Sequence, residues 1–172
     1  MISNFPIVST EEEFISSKQG HYRDLWTEII INAPPAVVRA KCLDFENKPS
    51  WDPFYRKTEV IKGRLDDLDT KPTIALTLDV KLNGKEMKLP LTPVITKNDE
   101  EGLIWGMNIA RGCFYKADHV HLFLPMDDGK ATRLVNYERF SGFLKYLMDE
   151  SSLAKPFNAS NAALKKVCEE AN

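Results

Sequence analysis

Residues 131–142 read Ala131-Thr132-Arg133-Leu134-Val135-Asn136-Tyr137-Glu138-Arg139-Phe140-Ser141-Gly142. In a strand, successive side chains point to opposite faces. Leu134, Asn136, Glu138 and Phe140 then share one face, and Arg133, Val135, Tyr137 and Arg139 share the other. If the first set faces a core, a carboxylate sits on the concave side of a sheet. A buried charge is costly unless it is paired or solvated, so Glu138 needs a partner.

The segment before it supplies one. Cys113 to Pro125 reads as a strand, and Asp127-Asp128-Gly129-Lys130 turns it into the next. Counting outward from that turn sets His119 nearly opposite Glu138. The pair is either a proton-moving acid and base or a buried contact that fixes the sheet. His121 lies two residues along and either joins the pair or faces solvent. His119, His121 and Glu138 are donor types that zinc accepts, but no supporting motif accompanies them, so no metal is expected.

Working outward, Asp24 to Asn32 is a β-branched-rich strand, broken by Ala33-Pro34-Pro35 into a short helix over Ala36–Leu43. A second short helical turn runs through Asn47-Lys48-Pro49-Ser50-Trp51-Asp52-Pro53-Phe54. Tyr55 to Gly63 is the next strand. Ile74, Leu76, Leu78, Val80 and Leu82 alternate with polar residues, the pattern of a half-buried antiparallel strand. Asn83-Gly84 predicts a hairpin, and the return strand carries Met87, Leu89 and Leu91 inward. After a turn at 98–102 comes Leu103-Ile104-Trp105-Gly106-Met107-Asn108-Ile109. The C-terminal part is helical: Leu144, Leu147, Met148, Ser151, Ala154, Phe157, Asn161, Leu164 and Cys168 recur at three- and four-residue steps. Pro156 predicts a break or a helix start near Ser152.

The order is strand, two short helices, about six antiparallel strands, then a long helix, which means α+β. A long meander must curl, and one amphipathic helix fills the concavity only in part. An internal cavity for a small molecule is therefore expected between sheet and helix. The 172 residues make one domain over 23–172, preceded by an N-terminal extension, 1–22, in which Thr10 caps a short helix.

Composition excludes several classes. The chain is 43% hydrophobic and 28% charged with a net charge of -2, so no basic field points to nucleic acid. No apolar run approaches the ~20 residues of a membrane span. Three cysteines without metal or disulfide spacing, and no secretory leader, predict a cytoplasmic protein. No nucleophile elbow or phosphate loop is present.

Six strings in this order resemble the SRPBCC superfamily, also called START-like or helix-grip, and within it the single-domain proteins of polyketide cyclase/dehydrase type. They are Ile29-Ile30-Ile31-Asn32-Ala33-Pro34, Trp51-Asp52-Pro53-Phe54, Leu103-Ile104-Trp105, Ala117-Asp118-His119, Glu138-Arg139-Phe140-Ser141-Gly142 and Asn161-Ala162-Ala163-Leu164-Lys165. The resemblance covers residues 24–170. It implies a curved antiparallel sheet of about seven strands around the C-terminal helix. It also implies an internal cavity for a lipid, polyketide or aromatic molecule, with no metal and no cofactor.

The candidate ligand-binding residues are Trp105, Asn108, His119, His121, Asn136, Glu138, Phe140, Phe157, Asn161 and Leu164, with His119 and Glu138 as catalytic candidates. Each apolar one is equally read as core packing, and Asn108 and Asn136 either orient a ligand oxygen or face solvent. Trp51 and Phe54 edge the cavity or anchor the short helix. Cyclase-like members of the superfamily use cavity Tyr and Arg groups, which brings in Tyr115 and Arg111, although Arg111-Gly112 also reads as a strand end. Val120, Leu122 and Leu124 form an apolar row that alternates with His119, His121 and Phe123, and the pattern leaves open which of the two rows is inward; the apolar row is expected to be the outer one. That row needs cover, from the N-terminal extension or from a second copy in a homodimer. The expected activity is hydrophobic ligand binding. The alternatives are a cyclase- or dehydratase-like enzyme and a co-chaperone-like interaction module with a filled core.

Overall fold

The structure, a computed structural model, describes residues 7–16, 23–82, 85–143, 146 and 150–170. Helix α1 is Glu11–Ser16, α2 is Pro35–Leu43 and α3 is Glu150–Glu170. The strands are β1 (Arg23–Ile31), β2 (Tyr55–Lys62), β3 (Thr73–Leu82), β4 (Lys85–Leu91), β5 (Val94–Asn98), β6 (Gly102–Ile109), β7 (Tyr115–Met126) and β8 (Ala131–Ser141). They form one antiparallel sheet in the order β1-β8-β7-β6-β5-β3-β2, with β4 paired to β3.

The eight strands agree with the expected sheet of about seven, and Pro93, which has no N–H to give a ladder, separates β4 from β5. The sheet opens at that point. β5 meets β3 only at Thr73–Val94, and its pairing with β6 ends at Val94–Gly106. Met107, Asn108 and Ile109 therefore pair with β7 but not with β5.

Helix α3 packs on the inner face, chiefly against β1. Phe157, Asn161, Leu164 and Cys168 are its buried stripe, as the spacing predicts. Pro156 does not end the helix. It lies in the second turn, where one forgone backbone bond is outweighed by packing of that stripe. Leu144, Leu147 and Met148, and the Asn83-Gly84 turn, lie outside the described residues. At the far end of the β3–β4 ribbon Met87 is exposed rather than inward, while Leu89 and Leu91 pack on the core.

Two apolar layers sandwich the sheet. The inner one includes Leu103, Trp105, Phe123, Leu134, Phe140 and Phe157. The outer one joins Ile104, Val120, Leu122, Val135 and Tyr137 to Val8 and Phe14 of the N-terminal segment. Thr10 caps α1 as expected, its hydroxyl accepting from Glu13 N–H at 3.2 Å while Glu13 accepts from Ser9 N–H. That fixes Phe14 against Trp26 and Tyr137, ring centroids 5.1 and 5.2 Å away. The Arg139 guanidinium lies 4.8 Å over the Phe14 ring. The N-terminal segment is thus the cover that the apolar outer row requires. Among the described residues no helix is long and apolar enough to cross a membrane.

Candidate functional site

The register of β7 and β8 sets His119 against Glu138 and His121 against Asn136, and that of β6 sets Trp105 against His119. All five side chains point to the inner face. His119 Nδ1 lies 3.1 Å from a Glu138 oxygen, with side-chain exposures of 8% and 15%. The imidazole stacks on Trp105 at 4.4 Å and 7° between planes, and Phe157 closes its other side at 5.1 Å. Stacking fixes the ring plane, and the carboxylate fixes which nitrogen it faces.

Three polar atoms in this row are buried without a hydrogen-bond partner: His119 Nε2, His121 Nδ1 and Asn136 Oδ1. Each such atom costs about 1–3 kcal/mol. Burial, helped by the neighbouring His119 and Lys48 charges, pushes the His121 imidazole well below its ordinary range and so keeps it neutral.

Asn136 and Asn161 belong to a closed network. Asn136 Nδ2 donates to Asn161 Oδ1 at 2.8 Å, Asn161 Nδ2 donates to Thr27 Oγ1 at 3.0 Å, and Thr27 donates to the Asn136 carbonyl at 2.8 Å. Asn161 thus clamps α3 onto β1 and β8 rather than facing open space. Phe140 and Leu164 are core residues, and Phe140 sits 6.3 Å from Tyr115.

Asn108 is a correction. It shares its face with Gly106 and Ile104, opposite to Trp105 and Met107, and is exposed on the outside of the sheet. Arg111 closes a short turn at the end of β6 with φ 56°, which fits the strand-end reading.

Among the described residues, an interior space of about 30 Å³ is lined by Phe54, Tyr55, Leu91, Trp105, Met107 and Tyr115 with His119 and Glu138. That is room for one water. Outside the sheet, a groove of about 720 Å³ runs along β5 and β6 and shares Gly106 and Met107 with the interior space. The open stretch of β6 is therefore a thin wall between them. Burial and the Glu138 charge push the Tyr115 hydroxyl well above its usual range, so it stays a neutral donor.

Lys48 escaped the sequence reading. It sits in the 3-10 turn Lys48–Ser50 and is 2% exposed, with Nζ 5.0 Å from the centroids of both Trp51 and Tyr55. A lysine beside Asn47 and Pro49 reads as a solvated turn residue, and no periodicity marks it otherwise. Nearby, buried Asp52 accepts from Phe54 N–H at 3.1 Å and from the Ser160 hydroxyl of α3. Trp51-Asp52-Pro53-Phe54 therefore anchors the turn to α3, and Phe54 also lines the interior. No group of three or more His, Cys, Asp or Glu placed to hold a metal ion occurs among the described residues.

The family described as polyketide cyclase/dehydrase and lipid transport matches residues 24–169. No curated protein sequence gives a significant match. Three solved structures are similar in fold. A START superfamily protein from Mycobacterium smegmatis has a TM-score of 0.65 and 15% identity, over 87% of this chain and 99% of that one. Zhui aromatase/cyclase from Streptomyces sp. R1128 has 0.66 and 13%, over 87% and 94%. Major latex-like protein 151 from Panax ginseng has 0.66 and 9%, over 87% and 99%.

Proposed function

The chain belongs to the polyketide cyclase/dehydrase and lipid transport family, and on that premise we propose that it binds a hydrophobic or amphipathic small molecule between the sheet and α3. The observation that carries this reading is the row of buried, unpartnered polar atoms among the rings and aliphatic side chains of the inner face: His119 Nε2, His121 Nδ1 and Asn136 Oδ1. A core selected only for stability has no use for three such atoms. A ligand oxygen or N–H would satisfy them and orient the molecule, while apolar burial would supply most of the affinity.

A space of about 30 Å³ admits no such ligand as it stands. Binding requires the enclosing side chains to part, and the open stretch of β6 at Met107–Ile109 is the proposed entry. The cost of opening lowers the apparent affinity. A cytoplasmic location fits the three unpaired cysteines.

The test is native mass spectrometry of the purified full chain, followed by solvent extraction and titration with Nile red. The expected results are a retained apolar compound or saturable dye binding, and loss of both in Met107→Trp, which plugs the thin wall. A protein that retains nothing and binds no dye would discard this reading in favour of an interaction module with a filled core.

One observation favours an enzymatic alternative. The His119–Glu138 contact at 3.1 Å borders the interior space and has the form of an acid–base pair. A fold neighbour is an aromatase/cyclase. This alternative requires turnover of a carbonyl-rich substrate that disappears in Glu138→Gln.

A further inference from the structure

Lys48 carries its ammonium on a side chain almost wholly withdrawn from solvent. The residue is 2% exposed. Among the described residues its nitrogen makes no hydrogen bond, and no carboxylate oxygen lies within 4.0 Å of it. Its near neighbours are ring faces, Trp51 and Tyr55, each 5.0 Å away. Rings attract a cation but do not replace the three acceptors that –NH₃⁺ has in water.

The nearby carboxylates are otherwise engaged. Asp52 is held by Phe54 N–H and by Ser160. Glu138 faces His119. Asp44 is paired with Lys41, whose own Nζ lies 5.6 Å from the Trp51 centroid. A buried cation left in this condition is strongly unfavourable unless an anion joins it in the functional state.

The surroundings also favour an anion. Trp51 Nε1, in the same turn, is a buried donor without an acceptor. His121, whose pKa is lowered partly by the Lys48 charge, adds a third polar group on that side. The Tyr55 ring joins this corner to the proposed ligand space, because it lines that space and also carries the Lys48 ammonium.

Resting on the binding reading above, we infer that the ligand is an apolar molecule with a carboxylate head, and that Lys48 is its counter-ion. Glu138, on the wall of the same space, repels the head and so directs it to the Lys48–Trp51 corner. The apolar body then lies along Leu76, Leu78, Leu91 and Met107.

Calorimetry of the full chain with two matched pairs tests this: dodecanoate against methyl dodecanoate, and 2-naphthoate against methyl 2-naphthoate. In at least one pair the acid is expected to bind 10-fold or more tighter than its ester. Lys48→Met should reduce that preference to under 3-fold and leave ester affinity within 3-fold, while Lys48→Arg should keep the preference. Equal binding of acid and ester by the unmodified protein would overturn the inference and leave hydrophobic binding standing. A preference that survives in Lys48→Met would overturn it too, and would reduce Lys48 to a packing residue. If none of the four compounds binds, this inference falls, and the Nile red titration decides whether the binding reading falls with it.

Discussion

Asn136 of β8 and Asn161 of α3 are bonded amide to amide at 2.8 Å, inside the apolar layer that joins sheet and helix. Both are buried. Around them the helix packs on leucine and phenylalanine side chains, whose contacts are tolerant of small shifts. The amide pair is directional and sets one rotation of α3 on the sheet.

Removing both members should therefore cost less than the two single removals added together. Asn161→Leu leaves Asn136 Nδ2 without an acceptor and Thr27 Oγ1 without a donor, a loss of about 3 kcal/mol. For a chain of this size that lowers Tm by roughly 6–12 °C. The double change Asn136→Leu/Asn161→Leu is expected to lose less than the sum of the two single changes. Thermal unfolding of the four proteins checks this through the double-mutant cycle.

The N-terminal segment should behave as part of the folded unit. Phe14 is almost fully buried among Trp26, Tyr137 and Arg139. Phe14→Ala is expected to cost about 3 kcal/mol. It should also raise binding of an apolar dye, because Val120, Leu122 and Val135 lose their cover. Denaturant unfolding and dye fluorescence measure the two effects. A loss below about 0.5 kcal/mol, the level of an ordinary surface change, would show that the segment is loosely attached.

Much of this arrangement is legible in residues 113–142, because alternation with period two admits only two solutions and the turn at Asp127–Lys130 fixes the register. The pairing of His119 with Glu138 follows from counting alone. Asn108 shows the rule misapplied: once Trp105 is taken as inward, parity sends Asn108 outward. Lys48 and the volume of the interior are not legible in the same way. Where the Lys48 side chain goes depends on how the turn between α2 and β2 packs under α3, a long-range outcome without local signature. Whether Phe54, Tyr55 and Phe157 fill the concavity depends on rotamers and sheet curvature, which no pattern in the chain encodes.

His121 gives a pH dependence with a definite sign. Its pKa is lowered well below 6.5 in the folded protein by burial and by the His119 and Lys48 charges. The unfolded chain therefore binds a proton that the folded chain refuses, and stability rises with pH through this window. The stabilising contribution is complete above about pH 7.5 and is lost as pH falls through 6.5, by about 1.4 kcal/mol between pH 7.5 and 5.5. In His121→Gln the stability difference between those two pH values should shrink by that amount. Urea unfolding of both proteins at the two pH values makes the comparison, and an unchanged difference would show that His121 charges readily where it stands.

Glu138 separates the roles that remain open for the polar row. The plane of the His119 ring is held by Trp105 and Phe157, so its partner at Nδ1 has only to supply an acceptor, charged or neutral. Glu138→Gln keeps an oxygen that accepts from Nδ1–H, and its stability cost should stay below about 1 kcal/mol. Glu138→Leu removes that acceptor, leaves both ring nitrogens without partners, and should cost about 2 kcal/mol. In a binding protein both variants keep their affinity for a neutral apolar ligand. An enzyme that uses the pair as acid and base loses on the order of 100-fold or more in kcat with Glu138→Gln while its Tm holds. Measuring Tm, ligand affinity and turnover on the same two variants therefore divides the possibilities. Lost turnover at constant Tm marks catalysis, retained affinity without turnover marks binding, and a Tm loss in Glu138→Gln as large as in Glu138→Leu marks a charge that the fold itself requires.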